Sequence, residues 1–527
     1  VALNLLVHQL LVLALVLLVC LGFAAAIRGL QTFVVEIIQR RLFARVAADM
    51  AYRLPRVRVD AYDQQYGPDL VNRFFDVLTV QKVGASLLLD GIAVVLQAVI
   101  GLLVLAFYHP FLLGFDLIVL GTISFVIFLL GRGAVRTSIR ESLAKYDLVA
   151  RLENIARAPI AYKFPYGHEL AMDQGDALTR GYLAARQAHF RILMRQILFA
   201  LGFQAIASAA LLGLGGWLVI QQELTLGQLV AAELIVAVVI GGFAKLGKHL
   251  EGWYDLMAAM DKLGHLIDLR LERNDGEPLG ETAYSSTEGA SLTLHHLSYA
   301  YDGYHHEVLQ GLDLEIAPGE RVAIIGPSGS GKSTLADLIF GLRAPTHGDI
   351  ELDGVNIRDL RLNSLREQVS LVKEPEVIEG TILENVWLGR HHIPLTEVRA
   401  ALEAVGLKQE LAHLPAGLHT RLTSQGAPLS LGQLRRLMLA RAIVGKPRLL
   451  VLDEALDGLD LDSRRRVMNA LFDRSAPWTL LVITHDQEVA SECDRAVALA
   501  EGRADHTIPL ANGHSPRLED WLKELRR

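Results

Sequence analysis

The residues Gly326-Pro327-Ser328-Gly329-Ser330-Gly331-Lys332-Ser333, with Thr334 next, fit the pattern G-x-x-x-x-G-K-[ST]. Glycines at this spacing let backbone N–H groups close around a polyphosphate, where any side chain would block the approach. Lys332 would reach the β- and γ-phosphates, and the Ser333 hydroxyl would ligate Mg²⁺. A glycine-rich turn that binds nothing can match the same pattern, so the flanks decide. Arg321–Ile325 has the composition of a short buried strand, and Thr334–Phe340 carries helical periodicity. Strand, loop and helix in that order place the positive end of the helix behind the phosphates.

Further acidic and polar groups complete the chemistry. Arg448-Leu-Leu-Val-Leu-Asp453 is an apolar strand pattern ending in a carboxylate, followed at once by Glu454. Asp453 is expected to hold Mg²⁺ directly or through water, and Glu454 to orient or deprotonate the attacking water. An exposed acidic turn is the plainer alternative. Thr479–Thr484 is another buried-strand pattern with His485 at its end, where ligands of open α/β sheets bind. A histidine there is often only structural. Leu429-Ser430-Leu431-Gly432-Gln433 opens a helix over Leu434–Val444, and its Ser430 hydroxyl and N-terminal N–H groups offer a second anion site. Gly326–Ser333 already serves one nucleotide, so a second site suggests that two chains share each ligand.

These groups need a framework, and the 527-residue composition is split between two kinds. The first half contains uncharged apolar runs at Leu10–Ile27, Gly91–Phe107, Phe111–Gly131, Ile197–Ile220 and Leu224–Ala244, the last interrupted by Glu233. These are near the length needed to cross hydrocarbon, and a signal peptide does not explain five of them. Lys and Arg crowd the two long connections, whereas Tyr108-His-Pro110 and Gln221-Gln-Glu223 carry neither. The long connections are therefore expected in the cytoplasm. That orientation leaves Val1 outside and predicts a further span before it. Val34–Met50, Val135–Ala156 and Ala177–Gln196 are helical in pattern and predict stalks, with breaks at Leu54-Pro55, Tyr66-Gly-Pro68 and Phe164-Pro-Tyr-Gly167. Glu233 would contact substrate or a proton, or be a protonated or paired structural carboxyl, and should face a cavity or partner. Asp90 and Asp116, nearer span ends, are expected at the interface. A net charge of −7 gives no support to nucleic-acid binding, and Cys20 and Cys493 make no disulfide framework or metal cluster.

Taken together the motifs resemble those of ATP-binding cassette (ABC) exporter half-transporters, across essentially the whole chain. The resemblance implies an all-α polytopic membrane domain over 1–268, a linker over 269–290, an α/β P-loop ATPase domain over 291–505 and a tail over 506–527. It makes Gly326–Ser333 the Walker A motif, Leu449–Asp453 Walker B, Glu454 and His485 the catalytic pair, and Leu429–Gln433 the signature that meets the partner's ATP. Tyr301 would stack on adenine, and coupling helices would lie near Pro55–Gln65 and Tyr166–Asp173. It further implies Mg²⁺-ATP as ligand, a second half-transporter as partner, and a bacterial inner (plasma) membrane location. The chain departs from the pattern in three places. Leu431 replaces the first glycine of the signature. Val372-Lys-Glu-Pro375 puts Glu374 where a metal-binding glutamine is usual. Asp457-Gly-Leu-Asp460 replaces Ser-Ala-Leu-Asp. ATP-driven export is the leading expectation. An ATP-gated regulatory or scaffold subunit and a polypeptide exporter of type I secretion are the alternatives.

Overall fold

The computed structural model describes residues 2–63, 67–107, 110–244, 246–278, 288–303 and 306–510. The break at Tyr66, the connection Tyr108-His109, Lys245, linker residues 279–287 and tail residues 511–527 lie outside that set. Two compact units emerge, Val1–Val57 with Ala61–Arg270, and Arg58–Asp60 with Leu271–Arg527.

The first unit is helical. Four helices, Val7–Arg56, Leu70–Ala106, Pro110–Leu130 and Gly167–Ile220, are long and apolar enough to cross a membrane, and Leu226–Val239 is a shorter apolar one. The expected stalks lie within the helices Ala2–Arg53, Ala134–Arg157 and Gly167–Ile220. Leu54-Pro55 ends the first by passing into a 3₁₀ turn at Leu54–Arg56. The second tip differs from expectation. Between the helices Ala134–Arg157 and Gly167–Ile220 the described residues hold the 3₁₀ turn Ala161–Lys163, and the segment from Gly167 belongs to the 54-residue helix. Pro165 precedes the helix, so it ends nothing after Gly167. Asp116 also departs from expectation. It is 6% exposed, with both carboxylate oxygens buried and without a hydrogen-bond partner among the described residues. Its helix face explains this, because Leu112 and Val119, one turn to either side, are 0% and 1% exposed and carry Asp116 inward. Asp90 stays at the surface, 3.0 Å from Arg28, and Glu233 is exposed.

The second unit is α/β. Its strands are β1 Leu292–Tyr299, β2 Leu309–Ile316, β3 Arg321–Ile325, β4 His347–Leu352, β5 Val355–Asn356, β6 Val369–Val372, β7 Gly380–Thr381, β8 Arg421–Leu422, β9 Leu449–Asp453, β10 Thr479–Ile483, β11 Arg495–Ala500 and β12 Arg503–Pro509. The larger sheet has the order β12-β11-β3-β10-β9-β6. It is parallel except for β12, which runs antiparallel to β11. Because β12 continues to Pro509, the expected boundary at 505/506 falls inside a sheet strand. An antiparallel sheet, β2-β1-β4-β5, packs on one side. β3, β9 and β10 are buried at every position, as strands covered on both faces must be. Alternate residues feed two cores: Ile324, Val451 and Leu481 join one, and Ala323, Leu452 and Val482 the other.

Candidate active site

Register brings the chemistry together. Ile483 of β10 pairs with Asp453 of β9 on one side and Ile324 of β3 on the other, so the phosphate loop, Asp453–Glu454 and His485 emerge from the same sheet edge. Two loop glycines are sterically required. A Cβ on Gly326 would stand 2.3 Å from the Leu499 carbonyl oxygen, and one on Gly331, whose φ is +97°, would stand 2.7 Å from Leu309. The helix Lys332–Ile339 starts at that glycine. Pro327, Ser328, Gly329 and Ser333 are exposed, whereas Ser330 is buried, its hydroxyl oxygen without a partner among the described residues. Lys332 donates to the Gly326 and Pro327 carbonyls at 2.9 and 2.8 Å, holding its ammonium across the loop. Burial pulls its pKa down, against the opposing charges of Glu454 and Asp453.

Asp453 is 7% exposed, and one carboxylate oxygen, Oδ1, is buried and unpartnered among the described residues. Burial pushes its carboxyl above the usual range, while the Ser333 hydroxyl hydrogen-bonds it and works the other way. An unsatisfied buried carboxylate oxygen beside an exposed serine hydroxyl is a hard oxygen donor set, the type that suits Mg²⁺. Glu454 lies beyond the strand at φ +54°, an uncommon backbone conformation for a glutamate. Its amide donates to the Ile483 carbonyl at 3.0 Å. Its Oε1 is 3.1 Å from His485 Nε2, and both side chains are close to half exposed. The Asp457 carboxyl is likewise raised, first by burial and then by Glu454.

Tyr301 is partly buried. Its hydroxyl is 3.0 Å from Thr334 Oγ1, and the Arg343 guanidinium lies 4.7 Å from its ring centroid. The ring is therefore fixed against the phosphate-loop helix. Glu374 is exposed, with no ion-pair or hydrogen-bond partner among the described residues. Its neighbour Lys373 turns inward instead.

Ser430 caps the Leu431–Ile443 helix. Its hydroxyl accepts from the Gln433 amide at 3.3 Å, while Gln433 Oε1 accepts from the Ser430 amide at 2.8 Å. That reciprocal box leaves the Ser430 hydroxyl proton free to donate. Ser430 is exposed, Leu431 is 59% exposed, and a Cβ on Gly432 would meet open space. The signature is thus a presented surface. Glu410 anchors it from behind, accepting from Arg436 at 2.7 and 2.9 Å and from Gln433 Nε2 at 2.8 Å. Sequence reasoning missed Glu410 and Arg436, which sit at no motif position. It also missed Asp337, Arg343 and Lys373, of which only Lys373 carried a signal, as a neighbour of the odd Glu374.

A phosphate loop, an acidic strand end and a terminal histidine on one parallel sheet define a P-loop nucleotide hydrolase. In this chain it is continuous with a unit of membrane-length helices. The family model described as ABC transporter matches residues 309–457. The chain is 30% identical to an ATP-dependent lipid A-core flippase of Chromobacterium violaceum over 90% of its own length and 82% of that protein. It is 33% identical to the uncharacterized ABC transporter ATP-binding protein YwjA of Bacillus subtilis, over 54% of this chain and about half, 49%, of that protein. Its fold matches a solved structure of a bacterial Atm1-family ABC exporter with ATP bound, with a TM-score of 0.80 at 22% identity, covering 94% of this chain and 85% of that one. The chain belongs to the ABC transporter family. It binds nucleotide through its soluble unit and is an integral membrane protein.

Proposed function

We propose that this chain is one half of an ATP-driven exporter, working as a dimer in a bacterial inner membrane with its ATPase unit in the cytoplasm. The observation that carries the reading is the convergence of Lys332, Ser333, Asp453, Glu454 and His485 at one sheet edge, in a chain that also supplies membrane-length helices. Lys332 and the loop amides bind the polyphosphate, and Ser333 with Asp453 would hold Mg²⁺; Glu374, expected as a further oxygen donor, faces outward and Lys373 takes the inward place. The metal supplies neutralisation of phosphate charge when bound. Glu454 takes the proton of the attacking water, and His485, 3.1 Å away, orients that carboxylate. Tyr301 lends its ring to adenine. Ser430 caps a presented helix N-terminus, and on this reading its hydroxyl would donate to the γ-phosphate held by a second copy. Clamping of nucleotide between copies favours one state of the membrane unit, and hydrolysis releases it.

Exchange of Glu454 for Gln should leave ATP binding intact and slow hydrolysis by about 10²- to 10⁴-fold, the usual worth of a positioned general base. Turnover equal to wild type would reject the assignment. The substrate is assigned to amphipathic lipids, on the strength of a relative matched across both units whose name is lipid A-core flippase. Reconstituted in lipid vesicles, the chain should show ATPase stimulated by lipopolysaccharide core lipids. Stimulation only by polypeptides would transfer it to protein secretion, and no turnover at all would favour the regulatory reading.

A further inference from the structure

β6 ends at Val372, and the next two residues have exchanged the places that their order suggests. Glu374 faces outward, whereas Lys373 turns toward the phosphate loop, its Nζ 2.8 Å from Asp337 Oδ1 and 3.9 Å from Asp453 Oδ2. Asp337 is 7% exposed and lies on the helix that follows the loop. Its other oxygen is 3.6 Å from Arg343 Nε, and Arg343 lies against the ring of Tyr301. Arg343, Asp337, Lys373 and Asp453 therefore form one continuous row in which cation and anion alternate, running from the ring of Tyr301 proposed for adenine to the aspartate proposed for metal. Lys373 sits between two carboxylates and is about one-third exposed, at 36%, so its ammonium can shift from one to the other.

A cation this close to Asp453 has a cost for metal binding, because two positive charges then compete for one carboxylate. We propose that Lys373 is a positioning residue whose charge, held beside Asp453, competes with a divalent cation for that carboxylate, and that Asp337 is the anchor that keeps Lys373 from closing fully on Asp453. The nucleotide site thereby sets its own metal threshold. This rests on the proposed reading of Lys332, Ser333 and Asp453 as a Mg²⁺-nucleotide site.

The test uses the full chain in lipid nanodiscs, in a Glu454→Gln background to prevent hydrolysis, with binding of a fluorescent ATP analogue followed as Mg²⁺ is titrated. Lys373→Met should lower the Mg²⁺ concentration at half-maximal binding about 1.5- to 5-fold, the range expected of a partly exposed ion pair. Lys373→Arg, which keeps the charge, should leave it near the parent value. Asp337→Asn, which removes the competing anchor and commits Lys373 to Asp453, should raise it. A half-point unchanged or raised in Lys373→Met, or lowered in Asp337→Asn, overturns the proposal. Lys332→Ala separates the two readings. If it binds the analogue as the parent does at every Mg²⁺ concentration, the nucleotide site itself is misplaced. If it loses binding while Lys373→Met behaves as its parent, only the role of Lys373 fails.

Discussion

Glu410 shows how a residue outside every motif governs one inside. Its carboxylate is held by Arg436 and Gln433 and lies below the usual carboxylate range, first because Arg436 hydrogen-bonds it. A folded-state value below the unfolded one, about 4.3, means that ionised Glu410 favours the folded protein above that pH. The contribution is lost as pH falls through the lowered value. Thermal midpoints measured between about pH 6 and pH 3 should therefore fall less steeply in Glu410→Gln than in wild type. Parallel curves would show that Glu410 does not take part in acid unfolding. Leu431 belongs to the same scale. It stands exposed at the first turn of the signature helix, beside the hydroxyl of Ser430. Leu431→Gly restores close backbone approach at that helix N-terminus, so the KM for ATP should fall. An unchanged KM would mean that Leu431 faces away from the partner's phosphate.

Among the elements, two helices of the first unit carry a buried ion pair whose energetics can be measured. Lys262 of the Leu246–Ile267 helix lies 2.7 Å from Asp76 of the Asp76–Ser86 helix, with side chains 4% and 6% exposed. Tyr146 of the Ala134–Arg157 helix donates to Asp76 at 2.9 Å, and its ring lies 4.3 Å from the Lys262 ammonium. Burial lowers the Lys262 pKa and raises that of Tyr146, so desolvation outweighs pairing for the lysine. Removing one partner strands the other charge. Lys262→Met should cost about 3–5 kcal/mol, while the double variant Asp76→Leu/Lys262→Met should recover most of it. Unfolding of the three proteins in one detergent decides this. A double variant no more stable than the single one would show that the pair itself supplies net stability.

At the scale of the whole molecule, the hydrolytic groups and the signature lie on one chain, yet Ser430 is exposed and Lys332 buried. On the proposed reading a complete site needs two copies. With Cys20 replaced by Ser and Cys493 left buried, cysteines at Ser328 and Ser430 should cross-link copy to copy when ATP is added to the Glu454→Gln protein. A band at twice the chain mass that requires both cysteines and ATP supports the shared site. Cross-linking equal with and without nucleotide would refute ATP-driven closure.

Much of this was local and so legible in the residues. The phosphate loop, β3, β9, β10 and the signature helix follow from short-range rules: glycine where backbone must approach phosphate, apolar runs where both sheet faces are covered, a serine where a helix starts. The apolar runs and the stalks were readable for the same reason, since helix periodicity and hydrocarbon length are properties of one segment. Burial of Asp116, the Asp76–Lys262 pair, the Glu410 brace and the inward turn of Lys373 were not readable. Each joins residues distant in sequence or depends on which side of a strand end a side chain leaves. The chain order therefore determined which groups are proposed to cleave a nucleotide and which segments can enter a bilayer. Only tertiary packing decided which charges face one another, because electrostatic pairing depends on distance in space, and no spacing along the chain encodes it.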